Sequence, residues 1–377
     1  MKRDKGAQLN QTTLPSVTFA ARASDPFTQD LQRRAQQYFV SHGNNSNANG
    51  LMFIKSAFYL VGYFLFIGWV LSGSIHSNFV LLMCYAVLGF FSVGIGFNIA
   101  HDAIHGAYSS SRNVNRWMSQ TFLLLGANVY NWKVLHNVIH HSYTNIAGAD
   151  GDLHPVPLLR FYPSNEGLKW YHRFQHFYVT FLYALTSLVW VFKKDFDHIN
   201  KKRHLIYEKP ELPEGEMLRL IVGKVVYLGM FLVAPLFLYH WTLVLTGFVL
   251  MHLIQGLMLA MVFQLGHIVE GPAITHLQEE VNELPSWHRI QLDGTSNFAP
   301  GSFLANWICG GLNHQIEHHL FPQVCHVHYP ALSKIVKETA AEHGLTYHEQ
   351  PTFRAAISSH YKLIKQFGQG ASSEQSV

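Results

Sequence analysis

The chain has 377 residues and a mass of 42.9 kDa, a length sufficient for two soluble domains. Its composition argues against that organisation, because 49% of the residues are hydrophobic and only 13% are charged, about half the charged share of a soluble protein. The net charge of +4 is too small for a nucleic-acid-binding protein, and three cysteines without a C-x-x-C pair exclude a disulfide scaffold. The 25 histidines outnumber the 23 acidic residues. The composition therefore predicts a membrane protein rich in imidazole.

Four apolar runs are long enough to cross about 30 Å of hydrocarbon as helices. In chain order they cover residues 51–73, 79–100, 217–239 and 241–266, after a polar segment 1–50 that contains a short amphipathic helix at 31–39. The first run contains Lys55, close enough to its end for the amine to snorkel to the interface. The third contains Arg219 and Lys224 near its start. An all-α membrane protein with four spans is predicted.

Positive charges are distributed unevenly among the connections between these runs. The connections around 74–78 and 239–241 contain no Lys or Arg, whereas residues 1–50 and 101–216 contain many, including the cluster 201–203. The positive-inside rule therefore predicts that both termini and the 101–216 segment are cytoplasmic. The expected location is a bacterial plasma membrane, or the endoplasmic reticulum if the source is eukaryotic.

A fifth apolar run, 177–192, has only 16 residues and is flanked by basic residues. It is short for a span. If this run crossed the membrane, the histidine-rich motifs before it and the one after it would lie on opposite faces. The spacing of these histidines, described below, predicts one shared metal site instead. We therefore expect an interfacial or re-entrant helix. Residues 51–365 are expected to form one domain, followed by a disordered tail at 366–377.

Three histidine-rich motifs, here called boxes 1 to 3, have the spacing of metal ligands. Their sequences are HDAIH at 101–105, HNVIHH at 136–141 and HQIEHH at 314–319. Residues i and i+4 share one face of a helix, so two such imidazoles can reach one ion. An adjacent histidine lies about 100° around the helix and can serve a second ion. The three boxes predict a dinuclear pocket lined by three helices.

The ligand type restricts the metal. Imidazole ligands without cysteine suit Fe, Zn, Cu or Ni and disfavour Mg and Ca. Zinc protease chemistry needs H-E-x-x-H, but the residues after the first histidine of each box are Asp102, Asn137 and Gln315. Eight box histidines also exceed the three or four ligands of one zinc ion. Two irons, or another redox-active pair, fit this ligand set best.

Histidines outside the boxes fall into three groups. His267 ends the fourth run at the level of the predicted pocket and is a candidate ligand, whereas His252 lies within that run and is expected to be a packed, hydrogen-bonded core residue. The surface or ligand-orienting candidates are His154, His172, His176, His326 and His328. Acidic residues that are candidates for orienting the ligand rings are Asp102, Asp150, Asp152 and Glu317.

Residues 50–365 resemble the integral-membrane fatty acid desaturases. The resemblance is carried by FNIAHDAIHGAY, HNVIHHSYTNIAGADGD and GGLNHQIEHHLFP. The third box, read as Gln315-Ile-Glu-His318-His319, is similar to that of the front-end subgroup, which includes linoleoyl-CoA Δ6-type, acyl-lipid and sphingolipid desaturases. The resemblance implies four transmembrane helices and a cytoplasmic helical cap that holds a histidine-ligated dimetal site.

Carried over residue by residue, the resemblance implies a set of iron ligands. These are His101, His105, His136, His140, His141, His267, Gln315, His318 and His319. Gln315 aligns with a position that is His in other desaturases, while the adjacent His314 has i,i+4 spacing to His318. Which of these two faces the metal stays open at the level of sequence.

The implied reaction is oxygen-dependent formation of a cis double bond, of Δ5 or Δ6 type, in an acyl-CoA or acyl-lipid at a nonhaem diiron centre. O₂ is the co-substrate, and two external electrons complete its reduction. The chain lacks the H-P-G-G motif of a fused cytochrome b5 domain, so a separate carrier of the ferredoxin, rubredoxin or cytochrome b5 type is expected. The substrate-binding residues cannot be identified from sequence.

Four alternative functions are compatible with parts of this pattern. A lipid hydroxylase or a sphingolipid desaturase of the same superfamily would use the same boxes, although the QIEHH form argues against the hydroxylase. A haem-binding membrane cytochrome would leave the clustered box histidines unexplained. A metal transporter would need polar ligands at mid-membrane, where the sequence offers His252 and a few neutral polar residues.

Overall fold

Four helices dominate the computed structural model, which describes residues 18–21, 25–153, 157–163, 167–276 and 283–370. Each is long and apolar enough to cross a membrane, and we call them spans 1 to 4. They are Gly50–Leu71, Asn78–His105, Glu216–Leu236 and Trp241–His267. Spans 2 and 4 pack against each other so closely that a Cβ on Gly89 would lie 2.5 Å from the Met251 carbonyl oxygen. The predicted helical fold with four membrane helices is confirmed.

Span 2 is longer than the apolar run that predicted it and carries box 1 at its end. The α-helix Asn78–Ile95 continues through a π-helical turn, Gly96–Ala100, into His101–His105. The next residue, Gly106, has φ +79°, a left-handed conformation that glycine adopts without strain and that ends the helix. Box 1 is therefore fixed to the rigid end of a membrane helix instead of lying in a loop. π-Helical turns of this kind are frequent at functional sites.

The prediction that Lys55 snorkels to the interface is wrong. Its side chain is buried inside the protein, with the amine 2.7 Å from His326 Nε2 and donating to the Asn306 carbonyl oxygen at 3.2 Å. These two acceptors offset the cost of removing the ammonium from water. Span 1 is thereby attached through Lys55 to the segments on both sides of box 3.

A second buried lysine joins span 3 to the segment 190–199. The Lys224 amine lies 2.6 Å from the Asp195 carboxylate and also donates to the Gly126 carbonyl. Asp195 in turn accepts from the indole N–H of Trp190 and from the amide N–H of Asn128, each at 3.0 Å. This network of paired groups fixes the segment 190–199 against span 3.

Breaking this pair should destabilise the protein strongly. In Lys224→Met the Asp195 carboxylate stays buried without its cation, which we expect to cost about 3–5 kcal/mol of unfolding free energy. The matched control is Arg219→Met, whose side chain is 62% exposed in its ion pair with Glu216 and should cost less than about 1 kcal/mol. Thermal unfolding in one detergent measures both, and equal melting temperatures for the two variants would contradict the role given to Lys224.

The fifth apolar run forms a bent helix pair, Trp170–Ala184 and Thr186–Ile199, with a bend of 57°. At the bend, Ser187 Oγ lies 2.9 Å from His252 Nδ1. His252 precedes His267 by 15 residues on span 4, so at 1.5 Å per residue the bend lies about 22 Å from the histidine end of that span. The pair therefore reaches deep between the spans. His252 is buried and hydrogen-bonded, as expected from its place within the apolar run.

Both ends of the bent pair return to the histidine side. Near its start, the Gln175 side chain donates to the carbonyl of Ile364, in the C-terminal helix that packs beside the end of span 4. Near its end, the Asn131 side chain donates to the carbonyl of Asp195 at 2.8 Å, next to the box 2 helix. Contact of both ends with segments beside the histidine clusters is the arrangement expected of a re-entrant segment, and the pair is called the re-entrant hairpin below.

The remaining helices are short and cover the histidine end of the spans. They are Pro26–Ser41, Arg112–Ser119, Val129–Trp132, Trp287–Asp293, Phe303–Ile308, Gln315–Leu320, Tyr329–Glu342 and Phe353–Gln369, with 3₁₀ turns at Gln120–Leu125 and His326–His328 and a π-helical segment at Lys133–His140. Within elements already described, the bent pair contains the 3₁₀ turn Trp170–Phe174 and the π-helical segment Trp190–Lys194, and span 3 contains the π-helical segment Gly229–Val233. Pro26–Ser41 contains the amphipathic helix expected at 31–39. It buries Phe27 and Leu31 against Val336 and Ala340 of Tyr329–Glu342.

Two-residue strands pair within this cap. Ile146–Ala147 pairs in parallel with Thr275–His276, Arg203–His204 pairs antiparallel with Tyr207–Glu208, and Asn297–Phe298 pairs in parallel with Glu349–Gln350. The last helix runs to Gln369, beyond the expected start of the tail at 366, because Leu363, Ile364 and Phe367 are buried. Residues 1–17 and 371–377 and His154 lie outside the described residues.

Candidate metal centre

The three boxes and His267 converge on one buried region at the end of spans 2 and 4. Box 1 ends span 2, His267 ends span 4, box 2 lies on the π-helical segment Lys133–His140, and box 3 begins the helix Gln315–Leu320. The sequence prediction that one site collects all three boxes therefore agrees with the structure. Spans 2 and 4 deliver their histidines to the same side, as the predicted number of crossings requires.

The ring nitrogens divide into two adjacent groups. The first cluster contains His101, His105, His136 and His318, and the second cluster contains His140, His267 and His319. Within each group one nitrogen from every residue lies within 4.8 Å of the others. His141 forms a third, overlapping group with His318 of the first cluster and His319 of the second. Its Nε2 lies 3.0 Å from His318 Nε2, and its ring stacks on that of His319 with centroids 4.3 Å apart. The seven histidines of the two clusters, together with His141, are thus grouped so that they could hold metal ions at adjacent positions.

The spacing between the ring nitrogens fits shared metal ions. His101 Nε2 lies 3.2 Å from His136 Nε2, and the contacts of His141 fall in the same range. Two nitrogens bound at about 2.0–2.1 Å to one ion lie roughly 3 Å apart when they occupy neighbouring coordination positions. The nitrogens in the described residues are thus already separated as ligands would be.

Unpaired nitrogens provide a second test of metal fit. Among the described residues, the buried Nε2 atoms of His105 and His140 have no hydrogen-bond partner, one in each cluster. Leaving such atoms unpaired in a protein interior is costly. A metal ion in each cluster would use both lone pairs.

In box 2 the observed positions of the histidines differ from the prediction made from their spacing in the sequence. His136 and His140 were expected to reach one ion because they are four residues apart, but the structure places them in different clusters. The cause is the π-helical winding of Lys133–His140, which continues to His141, whose amide donates to the His136 carbonyl five residues back. His136 and His141 therefore lie one turn apart with their rings edge to face, and His140 is rotated toward His267 and His319.

Burial and mutual repulsion keep most of the clustered imidazoles neutral. Burial, followed by the charges of neighbouring imidazoles, holds the pKa values of His136, His141, His318 and His319 well below the usual range. Neutral imidazoles are the form that binds metal. The fold thus presents lone pairs instead of protons at this site.

His140 differs because it has an acidic partner. Its Nδ1 lies 3.0 Å from the buried Asp150 carboxylate, and Asp152 lies 3.6 Å away at the protein surface. Burial alone would lower the pKa of His140, but the charge and hydrogen bond of Asp150 outweigh it and raise that pKa to about 9. The backbone amides of Asn145 and Asp152 donate to Asp150 and fix its carboxylate. The Nδ1 proton is therefore held by Asp150, and Nε2 faces the second cluster.

His319 is oriented by residues that the sequence did not single out. Its Nδ1 lies 2.8 Å from Gln291 Oε1 and 3.1 Å from Thr144 Oγ1, and Thr144 also donates to Gln291. Thr144 lies within the motif HNVIHHSYTNIAGADGD that begins with box 2, whereas Gln291 lies outside the three motifs. Both meet box 3 only in the folded chain, so their contact with His319 could not be predicted from the sequence.

The other acidic candidates have different partners. Asp102 accepts from His326 Nδ1 at 2.8 Å, while its distance of 3.9 Å to His101 Nδ1 is too long for a hydrogen bond. Glu317 accepts from the Asn297 side chain at 2.7 Å and from the Tyr347 hydroxyl at 2.9 Å. Glu317 therefore holds the box 3 helix in place and does not contact a clustered histidine.

The structure separates the two residues that sequence spacing left open. The Gln315 side-chain nitrogen lies 2.9 Å from His267 Nε2 and 3.4 Å from His319 Nε2, so its amide adjoins the second cluster. His314 precedes the helix with φ −102° and ψ 62°, and this non-helical backbone removes it from the face that carries His318. Its ring approaches Glu317 at 3.6 Å and joins neither cluster.

A largely apolar cavity of about 550 Å³ opens beside the clusters. His136, His140 and His267 line it on the metal side. Its other walls come from span 4 and the re-entrant hairpin and include Leu182, Thr186, Val189, Trp190, Leu259, Ala260 and Phe263. Trp132 stacks on both His136 and Trp190, with ring centroids 4.7 and 5.1 Å apart. A cavity of this size can bury a long acyl chain next to the ring nitrogens.

Comparison with known proteins identifies the family. The fatty acid desaturase family model matches residues 76–351. The chain belongs to the fatty acid desaturase family. An sn-1 linoleoyl-lipid 6-desaturase from Synechocystis sp. is 33% identical over 92% of this chain and 96% of that protein. An acyl-lipid (8-3)-desaturase from Physcomitrium patens is 33% identical over 94% of this chain and 74% of that protein.

Family membership confirms the assignment made from the boxes. The chain is a desaturase, an oxidoreductase of lipid metabolism. A third relative, the Delta(5) fatty acid desaturase A of Dictyostelium discoideum, is 28% identical over 91% of this chain and 75% of that protein. The four apolar helices and the histidine clusters agree with an integral-membrane member of this family.

Proposed function

We propose that this desaturase forms a cis double bond near the carboxyl end of a lipid-linked fatty acyl chain, as a front-end desaturase of Δ6 or Δ5 type. The observation that carries the proposal is the apolar cavity that runs from the re-entrant hairpin to both histidine clusters. The names of the most similar relatives, which act on linoleoyl-lipid and acyl-lipid substrates, support a glycerolipid substrate over an acyl-CoA.

The proposed cofactor is a pair of nonhaem iron ions. His101, His105, His136 and His318 would hold one ion, and His140, His267 and His319 with Gln315 would hold the other, with His141 between them. When bound, the iron pair supplies the activation of O₂ that removes hydrogen from an unactivated methylene. No side chain in the cavity could begin that reaction by acid–base catalysis, because the methylene has no acidic proton.

Side chains of this protein orient the ligand rings, position the acyl chain and exclude water from it. Asp150 holds the Nδ1 proton of His140 and so sets the direction of its Nε2. Gln291 does the same for His319. Trp132, Trp190 and Phe263 form an aromatic wall of the cavity beside the clusters, which would keep water from this side and hold an acyl chain against the clusters. Holding the methylene next to the clusters accounts for the selectivity for one position along the chain.

The proposal also covers the source of the electrons and the side of the membrane that the metal centre faces. The two electrons come from a separate ferredoxin-, rubredoxin- or cytochrome b5-type carrier. The metal centre faces the cytoplasm, which the concentration of Lys and Arg in residues 1–50 and 101–216 supports. A basic surface there can steer an acidic carrier to the protein.

Expression in a host with a simple fatty-acid profile, fed with linoleate, tests the activity. We expect a new fatty acid with one more double bond than linoleate, placed between the existing one and the carboxyl group, with mass spectrometry fixing its position. Hydroxylated linoleate in place of a further double bond would show a hydroxylase. Separation of lipid classes before analysis shows whether the product first appears in glycerolipid or in acyl-CoA.

The pair Gln315 and His314 gives a sharp test of the second cluster. Gln315→Leu should lose most turnover, on the order of 10–100-fold, because its amide adjoins His267 and His319. His314→Phe should keep substantial activity and its iron, since His314 belongs to neither cluster. Both are measured at equal expression with iron determined per chain. Loss of iron in His314→Phe together with full activity in Gln315→Leu would reverse the assignment.

A further inference from the structure

A second groove, of about 700 Å³, lies on the outer side of span 3. Its other wall is formed by the helix Arg112–Ser119, the 3₁₀ turn Gln120–Leu125 and the start of the box 2 segment. None of its described lining residues is shared with the apolar cavity beside the histidine clusters, which is called the acyl cavity from here on. The cavity and the groove lie on different sides of the box 2 segment, since Trp132 lines the cavity and Lys133 lines the groove.

The groove changes from polar to apolar along span 3. Its histidine-side end is lined by Arg116, Lys133, Glu216 and Arg219, and its deeper part by Leu123, Leu124, Val222, Val226 and Met230. From Arg219 to Met230 the helix rises about 16 Å at 1.5 Å per residue. This combination of a charged end and a long apolar trough matches an amphiphile that stands in one leaflet of a bilayer.

The charged end of the groove favours an anion. Arg219 forms an ion pair with Glu216 at 3.1 Å, and Glu216 also accepts from the Asn128 side chain. Within the described part of the chain, Arg116 and Lys133 have no carboxylate in salt-bridge contact. The two positive charges at the mouth of the groove therefore remain available for a ligand.

Two aromatic residues point to the same kind of ligand. Tyr130 lines the groove, and its buried hydroxyl has no hydrogen-bond partner among the described residues. A turn of this side chain toward the groove would let the hydroxyl donate to a phosphate or ester oxygen. Trp117, at the rim, is 76% exposed, as expected for an indole at the level of lipid headgroups.

We propose that this groove binds one anionic glycerophospholipid, with its phosphate between Arg116 and Lys133 and one acyl chain along Val222 and Val226. This lipid is a structural lipid that stays bound to the protein, and it is distinct from the substrate in the acyl cavity. Because Tyr130 and Lys133 directly precede His136 on the box 2 segment, the lipid braces the segment that carries ligands of both clusters.

Native mass spectrometry of the full chain in phosphatidylcholine nanodiscs, with phosphatidylglycerol as a minority component, tests the site. In Arg116→Gln/Lys133→Gln we expect retention of phosphatidylglycerol to weaken on the order of 30-fold, from roughly five-fold per basic side chain. Val226→Trp fills the apolar trough without a change in charge and should also release the lipid. The control Arg112→Gln/Lys202→Gln removes two exposed charges outside the lining of the groove and should change retention by less than about two-fold.

Three results would overturn the proposal. Equal lipid loss in the groove and control double variants would show general attraction to an anionic surface. Unchanged retention in Val226→Trp, with its melting temperature intact, would show that the trough holds no acyl chain. Displacement of the lipid by soluble glycerol phosphate at equal concentration would assign the basic end to free phosphates.

Discussion

Replacement of His318 by alanine should abolish desaturation, with a loss of more than about 100-fold. His318 belongs to the first cluster, and its Nε2 lies 3.0 Å from His141 Nε2, so its removal disrupts the first cluster and the link to the second. His140→Ala should have a similar effect through the second cluster. The protein should remain in the membrane in both variants, because the apolar spans determine insertion.

The control for this prediction is His240→Ala. His240 is exposed between spans 3 and 4, at the opposite end of the spans from the clusters, and its loss should leave turnover unchanged. Product formation and iron per chain should be measured together at matched protein levels. Desaturation that survives in His318→Ala or in His140→Ala would remove that residue from the ligand set.

Filling the acyl cavity should stop turnover without removing the metal. Ala260 lies on span 4 and lines the cavity between the re-entrant hairpin and His267, so an indole in Ala260→Trp occupies the path of the acyl chain. Displacement of the reacting carbon by even an ångström can cost about 100-fold in rate. We therefore expect a loss of about that size, with iron content equal to that of the unmodified protein.

Leu245→Trp provides the matched control for the cavity. Leu245 lies on the same span but its side chain is 43% exposed on the outer surface, so the added indole faces lipid. Shorter acyl chains should regain part of the lost rate in Ala260→Trp if the indole blocks only the deeper part of the cavity. Wild-type turnover in Ala260→Trp would show that the acyl chain binds elsewhere.

The spans and the boxes were accessible to sequence reasoning for clear physical reasons. A membrane helix needs about 20 apolar residues, so spans 1 to 4 are visible in composition alone. Metal ligands need fixed residue types at short spacings, which made the histidines of the three boxes recognisable. His267 could be placed near the boxes because it directly follows the fourth apolar run.

Two kinds of feature could not be predicted from the sequence: the local winding of a helix and contacts between residues far apart in the chain. The π-helical segment Lys133–His140 separates His136 from His140, and no residue pattern distinguishes it from an α-helix. Lys55 was interpreted from its position near a helix end, whereas its partner His326 lies 271 residues later in the chain. Distant segments also build the acyl cavity, so its lining appears only when the hairpin has folded against span 4.

The central claim is that the histidines hold two iron ions in adjacent clusters. Iron analysis of the purified, full-length protein by mass spectrometry, with Mössbauer spectroscopy on the same sample, tests it most directly. We expect about two irons per chain and the spectra of nonhaem iron, since the two clusters adjoin and are linked by the group of His141, His318 and His319. A single iron, stoichiometric zinc or a haem signal in active protein would contradict it.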